Sequence, residues 1–230
     1  MAEPQIVQLA EADHAEALEV LAESFAGHPM VPPDKPGKPE HHNARLMMGT
    51  LLEVFAGRPG KPGAPGARLL GSRIDGELAC VAFVHDYGFE PKGLDMARMA
   101  WQMLRVMGPR KLVGSIRVMS EKHPGDDRRL ELLILGTRAQ FQQRGLGRAM
   151  VRHISELAAQ GGYAAVTLEA AKETPAFGFY EREGFVVEKE RALHGQPLCW
   201  MRRDLASRDG ASGAEKPEPT DDAAAGAAAV

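Results

Sequence analysis

Cysteine is scarce: Cys80 and Cys199 are the only two in 230 residues. That is too few for a disulfide framework, and each falls in a predicted strand, where a thiol reads as a small buried hydrophobe. No run of about eighteen apolar residues occurs, so no helix is predicted to cross a membrane and no membrane partner is expected. An excess of positive charge is also missing: 28 Lys and Arg against 31 Asp and Glu leave a net charge of -3. This argues against a nucleic-acid partner. His85, His123 and His153 have no ligand spacing between them, so no metal is expected. Residues 1–17 carry no basic stretch followed by an apolar one, which leaves a reducing, cytoplasmic setting as the expectation. There is no internal repeat. Beyond Leu205 not one aromatic occurs, so residues 206–230 are expected to form a disordered tail.

The rest of the chain alternates strand and helix patterns. Ile6 to Leu9 reads as a first strand. Asp13 then precedes a helix whose apolar face holds Ala17, Leu18, Leu21, Ala22 and Phe25. His42 to Ala56 reads as a second helix, and Arg58 to Gly66, alternating Gly and Pro, as loop. Arg68 to His85 reads as a hairpin turning at Asp75-Gly76. From Leu94 to Met119 come two helical patterns parted by Gly108-Pro109: Leu94, Ala97, Trp101 and Leu104 share one face, Leu112, Ile116 and Met119 another. Met96, Met99, Met103 and Met107 enrich the first in flexible thioethers. Leu130 to Thr137 is a fourth strand and Ala164 to Ala170 a fifth. A short helix opens at Thr174-Pro175, and two last strands run over Phe185 to Ala192 and Pro197 to Leu205. The expected architecture is α/β (α+β): one domain over residues 1–205 with a helical insertion at 88–123, built on a seven-stranded mixed sheet.

Between the fourth strand and the next helix lies Gln142-Gln143-Arg144-Gly145-Leu146-Gly147-Arg148. A strand, a glycine loop and a helix start gather backbone N–H groups around one point, an arrangement suited to phosphate. A dinucleotide fingerprint needs a third glycine where Met150 stands, and a nucleoside-triphosphate loop needs Gly-Lys-Ser/Thr where Gly147-Arg148-Ala149 stands. Two readings stay open: a tight turn that needed glycine, or a diphosphate loop of the Gln/Arg-x-x-Gly-x-Gly/Ala type used by acyl-CoA transferases. In the second, Arg144 and Arg148 supply charge-assisted bonds and the helix start a favourable partial charge.

About thirty residues on comes Phe179-Tyr180-Glu181-Arg182-Glu183-Gly184-Phe185. Loop, strand order, Tyr-bearing helix and Gly-Phe restart together resemble the GCN5-related N-acetyltransferase (GNAT) superfamily. The resemblance covers Ile6 to Leu205 and is densest from Leu130 to Phe185. Within the superfamily the chain looks most like the puromycin N-acetyltransferase type. Ala22-Glu23-Ser24-Phe25-Ala26-Gly27-His28-Pro29, His123-Pro124 and Leu168-Glu169 carry that likeness. It departs at Leu130-Glu131, where related sequences favour aromatics, and this leaves the acceptor open.

The resemblance implies a mostly antiparallel sheet flanked by helices, with strands four and five splayed. It implies acetyl-CoA as co-substrate and direct attack of an amine on its thioester. Backbone around Leu133 to Thr137, with Leu135, Gly136 and Thr137 foremost, is expected to hold the pantetheine arm. The loop Gln142, Gln143, Arg144, Gly145, Leu146, Gly147 and Arg148 is expected to hold the diphosphate. Tyr180 is the candidate acid for the leaving thiolate and a cofactor contact. Glu131 and Glu169 are candidates for the base or for holding the acceptor, with a water relay as the alternative. Phe25, His28, the second helix and the Leu94–Met119 helices are expected around the acceptor; Trp101 and the four Met residues are read either as an adaptable apolar wall there or as packing on the sheet, the latter favoured for Trp101. The expected function is transfer of acetyl to a primary amine of a small molecule by a monomer or homodimer. A protein or peptide amine acetyltransferase and a non-catalytic CoA-binding module are the alternatives.

Overall fold

The computed structural model describes residues 4–58, 61–112, 127–193 and 195–205. The sheet strands are β1 (Ile6–Gln8), β2 (Arg68–Ile74), β3 (Glu77–Asp86), β4 (Arg129–Thr137), β5 (Ala165–Ala171), β6 (Val186–Leu193) and β7 (Gln196–Asp204). The helices are α1 (His14–Phe25), α2 (His42–Leu51), α3 (Leu94–Met107), α4 (Leu146–Gln160) and α5 (Pro175–Arg182). The helical pattern at Leu112, Ile116 and Met119 falls mostly outside the described residues; His123-Pro124 and the tail fall wholly outside them.

The seven strands pair in the order β1-β2-β3-β4-β5-β7-β6, and every neighbour is antiparallel except β4 and β5, which run parallel. Alternation on β3 shows how the sheet divides its apolar residues. Val81 and Phe83 face α1 and α2, while Cys80, Ala82 and Val84 face α4; a bulge at Ala79 turns Leu78 to the α1–α2 side as well. All six are fully buried. On one face α1 brings Ala17, Val20 and Leu21 down at helical spacing. On the other, α4 brings Leu146, Met150, Val151, Ile154 and Ala158. Two apolar layers therefore clamp one sheet.

Two segments depart from the sequence reading. The Gly-Pro stretch is not all loop: Gly57–Arg58 pairs antiparallel with Lys61–Pro62. A two-residue ribbon tolerates Pro62 because only one rung needs N–H donors. The second helix ends as α-helix at Leu51 and continues as one wide turn over Leu52–Ala56.

Candidate active site

The site begins where β4 and β5 part. Their pairing runs from Arg129↔Ala165 to Leu132↔Leu168 and stops. Beyond it β4 stays on β3 up to Cys80↔Thr137, and β5 stays on β7 up to Ala171↔Leu198. The sheet is thus slit from one end, and the β5-facing backbone groups of β4 past Leu132 have no strand partner among the described residues. The slit starts at a bulge. Phe83 pairs with Ile134 and Val84 with Leu132, which leaves Leu133 as an extra residue in β4. A bulge bends and twists its strand, here away from β5.

The bulge also corrects an expectation from simple alternation, which places Glu131, Leu133, Leu135 and Thr137 on one face. Leu133 and Ile134 both pack on the α1–α2 side, whereas Leu135 packs on the α4 side. The Thr137 hydroxyl meets Cys80, also on the α4 side, at 3.3 Å. Gly136 is dictated by α1: a Cβ there would lie 2.9 Å from the Ser24 side chain.

At the end of β4 a single 3-10 turn, Ala139–Phe141, leads into the glycine loop. The Gln142 side-chain amide donates to the Thr137 carbonyl at 3.1 Å and ties loop to strand. Gln143 (φ 60) and Gly145 (φ 80) both adopt left-handed backbone, a conformation that favours glycine and strains other residues. Gly145 is the N-cap of α4, and no side chain caps this end. The first-turn amides of Leu146, Gly147 and Arg148 therefore point outward at the positive end of a 15-residue helix. Arg144 is exposed, its guanidinium 5.4 Å from the Phe141 ring. Arg148 reaches Glu183, the residue that follows α5, at 2.9 Å, pinning the loop to the end of that helix. Gly147 lets α4 pass close to Phe179, whose ring would be 3.4 Å from a Cβ at that position.

A cavity of about 360 Å³ opens from the slit, within the usual size range of small-ligand sites. Its floor is Glu131 to Leu135 of β4 and Glu169 to Ala171 of β5. Its walls come from the end of α1 (Phe25, His28), from α2 and from α3, and Tyr180 of α5 closes it on the far side. Trp101 is neither on the sheet nor in this cavity: it is 60% exposed. Met99, Met103 and Met107 line the cavity, and Met96 points to solvent.

The titratable groups divide by face. Tyr180 lies in the α4-side core, stacked near Phe179 and Phe185. Burial, more than any neighbour, holds its phenol far above the ordinary value, so it keeps its proton. Glu131 and His85 face each other across β3 and β4 as a registered pair on the opposite side. His85 is 1% exposed and packed against Phe55, Phe83 and Phe89. Burial lowers its pKa, so the ring is neutral. Its Nδ1 lies 2.7 Å from the Asp86 carbonyl and must carry the proton to bond there. That leaves Nε2 a bare acceptor, buried without a hydrogen-bond partner, 3.5 Å from Glu131 Oε2. Desolvation, then the charge of Glu169, push the Glu131 carboxyl up to about 7, with Arg191 opposing. Glu169 is bound to Arg191, and the Arg191 guanidinium also stacks 4.1 Å from the Trp200 ring centre. One carboxylate is thus ion-paired and its neighbour has a pKa near 7, a separation of roles typical of acid–base sites.

The sequence-predicted residues therefore converge only in part. Glu131, Glu169, Leu135 and Tyr180 line one cavity. Gln142 to Arg148 sit at the end of β4, outside that lining. Sequence reasoning missed His85, which it considered only as a metal ligand. The available signal was an imidazole ending the apolar run Leu78 to Val84, where no solvent partner is expected.

Comparison with known proteins agrees with this geometry. A mixed seven-stranded sheet split between its parallel pair, with a glycine loop at the split, is the GNAT type of fold. Residues 104–187 match the family model described as the acetyltransferase (GNAT) domain. A Corynebacterium glutamicum structure described as histone acetyltransferase HPA2 and related acetyltransferase superposes with a TM-score of 0.61 at 20% identity, covering 89% of this chain and 98% of that one. The ribosomal-protein-S18-alanine N-acetyltransferase of Escherichia coli gives 0.52 at 14% identity, covering 93% and 99%. PaiA N-acetyltransferase of Thermoplasma acidophilum, in complex with coenzyme A, gives 0.51 at 14% identity, covering 89% and 100%. No curated protein matches the chain. The superpositions show the GNAT fold, and the family-model match lies over residues 104–187, from α3 to the start of β6. Among the described residues no helix is long and apolar enough to cross a membrane.

Proposed function

We propose that this protein is an acetyl-CoA-dependent N-acetyltransferase acting on the primary amine of a small molecule. The observation that carries the reading is the slit sheet: it joins a cavity with Glu131 on one face to Tyr180 on the other. Donor and acceptor then enter from opposite faces and meet in the gap. The residues present suit coenzyme A. The free edge of β4 matches an amide-bearing arm, and the uncapped start of α4, with Arg144 beside it, matches a diphosphate. The complex of PaiA with coenzyme A supports the same assignment. When bound, acetyl-CoA supplies an activated acetyl thioester.

The chain's own groups handle protons and position. Glu169, at the cavity floor and ion-paired with Arg191, attracts an ammonium into the cavity. Glu131, with its pKa near 7, takes the proton that the amine must lose. The lone pair on His85 Nε2 faces this carboxyl and accepts a hydrogen bond once it is protonated. The amine nitrogen bonds to the acetyl carbon as the carbon–sulfur bond breaks, the Tyr180 hydroxyl gives its proton to sulfur, and the second proton that the acylated nitrogen sheds restores the phenol. A covalent relay through cysteine is disfavoured: burial pushes the Cys80 thiol up to about 11 and also raises Cys199. The enclosure of the cavity by α2 and α3 favours a small acceptor over an extended peptide. The test is thiol release from acetyl-CoA across a panel of amines, with mass spectrometry of the products. N-acetylated small amines are expected. Release with peptides alone, or with none, would reject this reading.

A further inference from the structure

Resting on the transferase reading, the cavity lining narrows the acceptor further: we propose that it is a lipophilic primary amine, an ammonium head on an apolar body that carries no anionic or polyhydroxylated part. The lining is polarised. At the β4–β5 floor stand two carboxylates, Glu131 and Glu169. Among the described lining residues there is no Lys or Arg to meet an acid or phosphate. The one imidazole in the lining, His28, is kept neutral by burial, and its Nδ1 accepts the Met30 N–H at 3.3 Å. An amine head therefore finds charge complementarity at the floor; the nearest cation, Arg191, is already bound to Glu169 and lies outside the lining, so an anion finds no cation within it.

Away from the floor the wall is mostly thioether and hydrocarbon, with Ser24, Thr50, Gln102 and Thr174 as its polar members. Met47 and Met48 of α2 face Met99, Met103 and Met107 of α3. Thr50, also in the lining, spends its hydroxyl proton on the Leu46 carbonyl at 2.8 Å. Gln102 Oε1, buried without a hydrogen-bond partner among the described residues, can accept from one ligand hydroxyl, but the several hydroxyls of a sugar outnumber such groups, and each one left over loses its water without replacement. Unbranched thioethers repack around different shapes. The site thus selects an amine end strongly and an apolar body by size rather than by outline.

Two measurements test this. The first is kcat/KM, from thiol release, for n-butylamine, n-hexylamine, n-octylamine, glucosamine and 6-aminohexanoate. The second is calorimetric binding of the same amines to protein loaded with coenzyme A. Both should improve along the alkyl series by about fourfold per buried methylene. Glucosamine and 6-aminohexanoate should trail hexylamine by on the order of a hundredfold. Met103→Lys should narrow the gap between 6-aminohexanoate and hexylamine. A flat alkyl series, or glucosamine or 6-aminohexanoate leading, in either measurement would overturn the acceptor class and leave the transferase reading standing. A correct binding series with no thiol release from any amine would overturn the transferase reading and uphold the ligand class.

Discussion

Glu131→Gln should make the protein more stable and less active, and only above a definite pH. Burial and the nearby Glu169 charge raise the carboxyl from 4.5 to about 7. A carboxyl with a raised pKa binds its proton more tightly in the folded state than in the unfolded one. Its ionisation therefore costs nothing below the unfolded value. The cost grows as pH climbs from about 4.5 towards 7 and stays constant above that. A rise of about 2.5 in pKa, at ~1.36 kcal/mol each, gives roughly 3 kcal/mol as a ceiling. The side chain is 25% exposed, and solvent screening lowers the figure to about 1–3 kcal/mol. Glutamine keeps the shape and cannot ionise. Urea unfolding should show the variant about 1–3 kcal/mol more stable than the parent near pH 8, and no more stable near pH 4. Thiol release by the same variant should fall by about 10²-fold or more, and the parent's kcat/KM should rise through a pH near 7. A stability difference that ignores pH, or a parent more stable at pH 8, would refute the reasoning.

Tyr180→Phe keeps the ring packing and removes the proton donor; turnover should drop by about 10²-fold or more while calorimetric affinity for acetyl-CoA holds. Gly145→Val forces a branched side chain into a left-handed position (φ 80) at the start of α4, so acetyl-CoA titration should show binding lost, at a backbone cost of about 1–2 kcal/mol. Gly136→Ala places a methyl 2.9 Å from Ser24; thermal melts should show about 1–3 kcal/mol of destabilisation as α1 is pushed off the sheet.

The strands, the helices and the glycine loop were legible because their signals are local. Alternation on β3, Gly145 at a strand-to-helix turn and Thr174-Pro175 at a helix start need only near neighbours. What was not legible depends on register. The pairing of His85 with Glu131 exists because β3 and β4 align in one register, and His85 alone reads as a core histidine. The bulge at Leu133 breaks an alternation, and nothing in the mostly apolar run from Leu130 to Leu135 marks the break. Glu169 reads as a strand-end carboxylate until Arg191, two strands away in the sheet, is seen bound to it. Trp101 followed the opposite course: helical spacing promised a buried ring, yet α3 turns its methionines inward and leaves the indole exposed. The tally of apolar residues on α3 did not reveal which side meets the cavity.

Hydrogen exchange resolved along the chain, with and without acetyl-CoA, tests most directly whether the donor occupies the slit between β4 and β5. The unpaired edge of β4 at Leu133 to Thr137 and the first-turn amides at Leu146 to Arg148 should become protected when acetyl-CoA is added. The outer pairing of β3 with β2 should be unchanged. Binding of acetyl-CoA that protected some other segment, or that left Leu133 to Thr137 exchanging at the free-protein rate, would contradict the account.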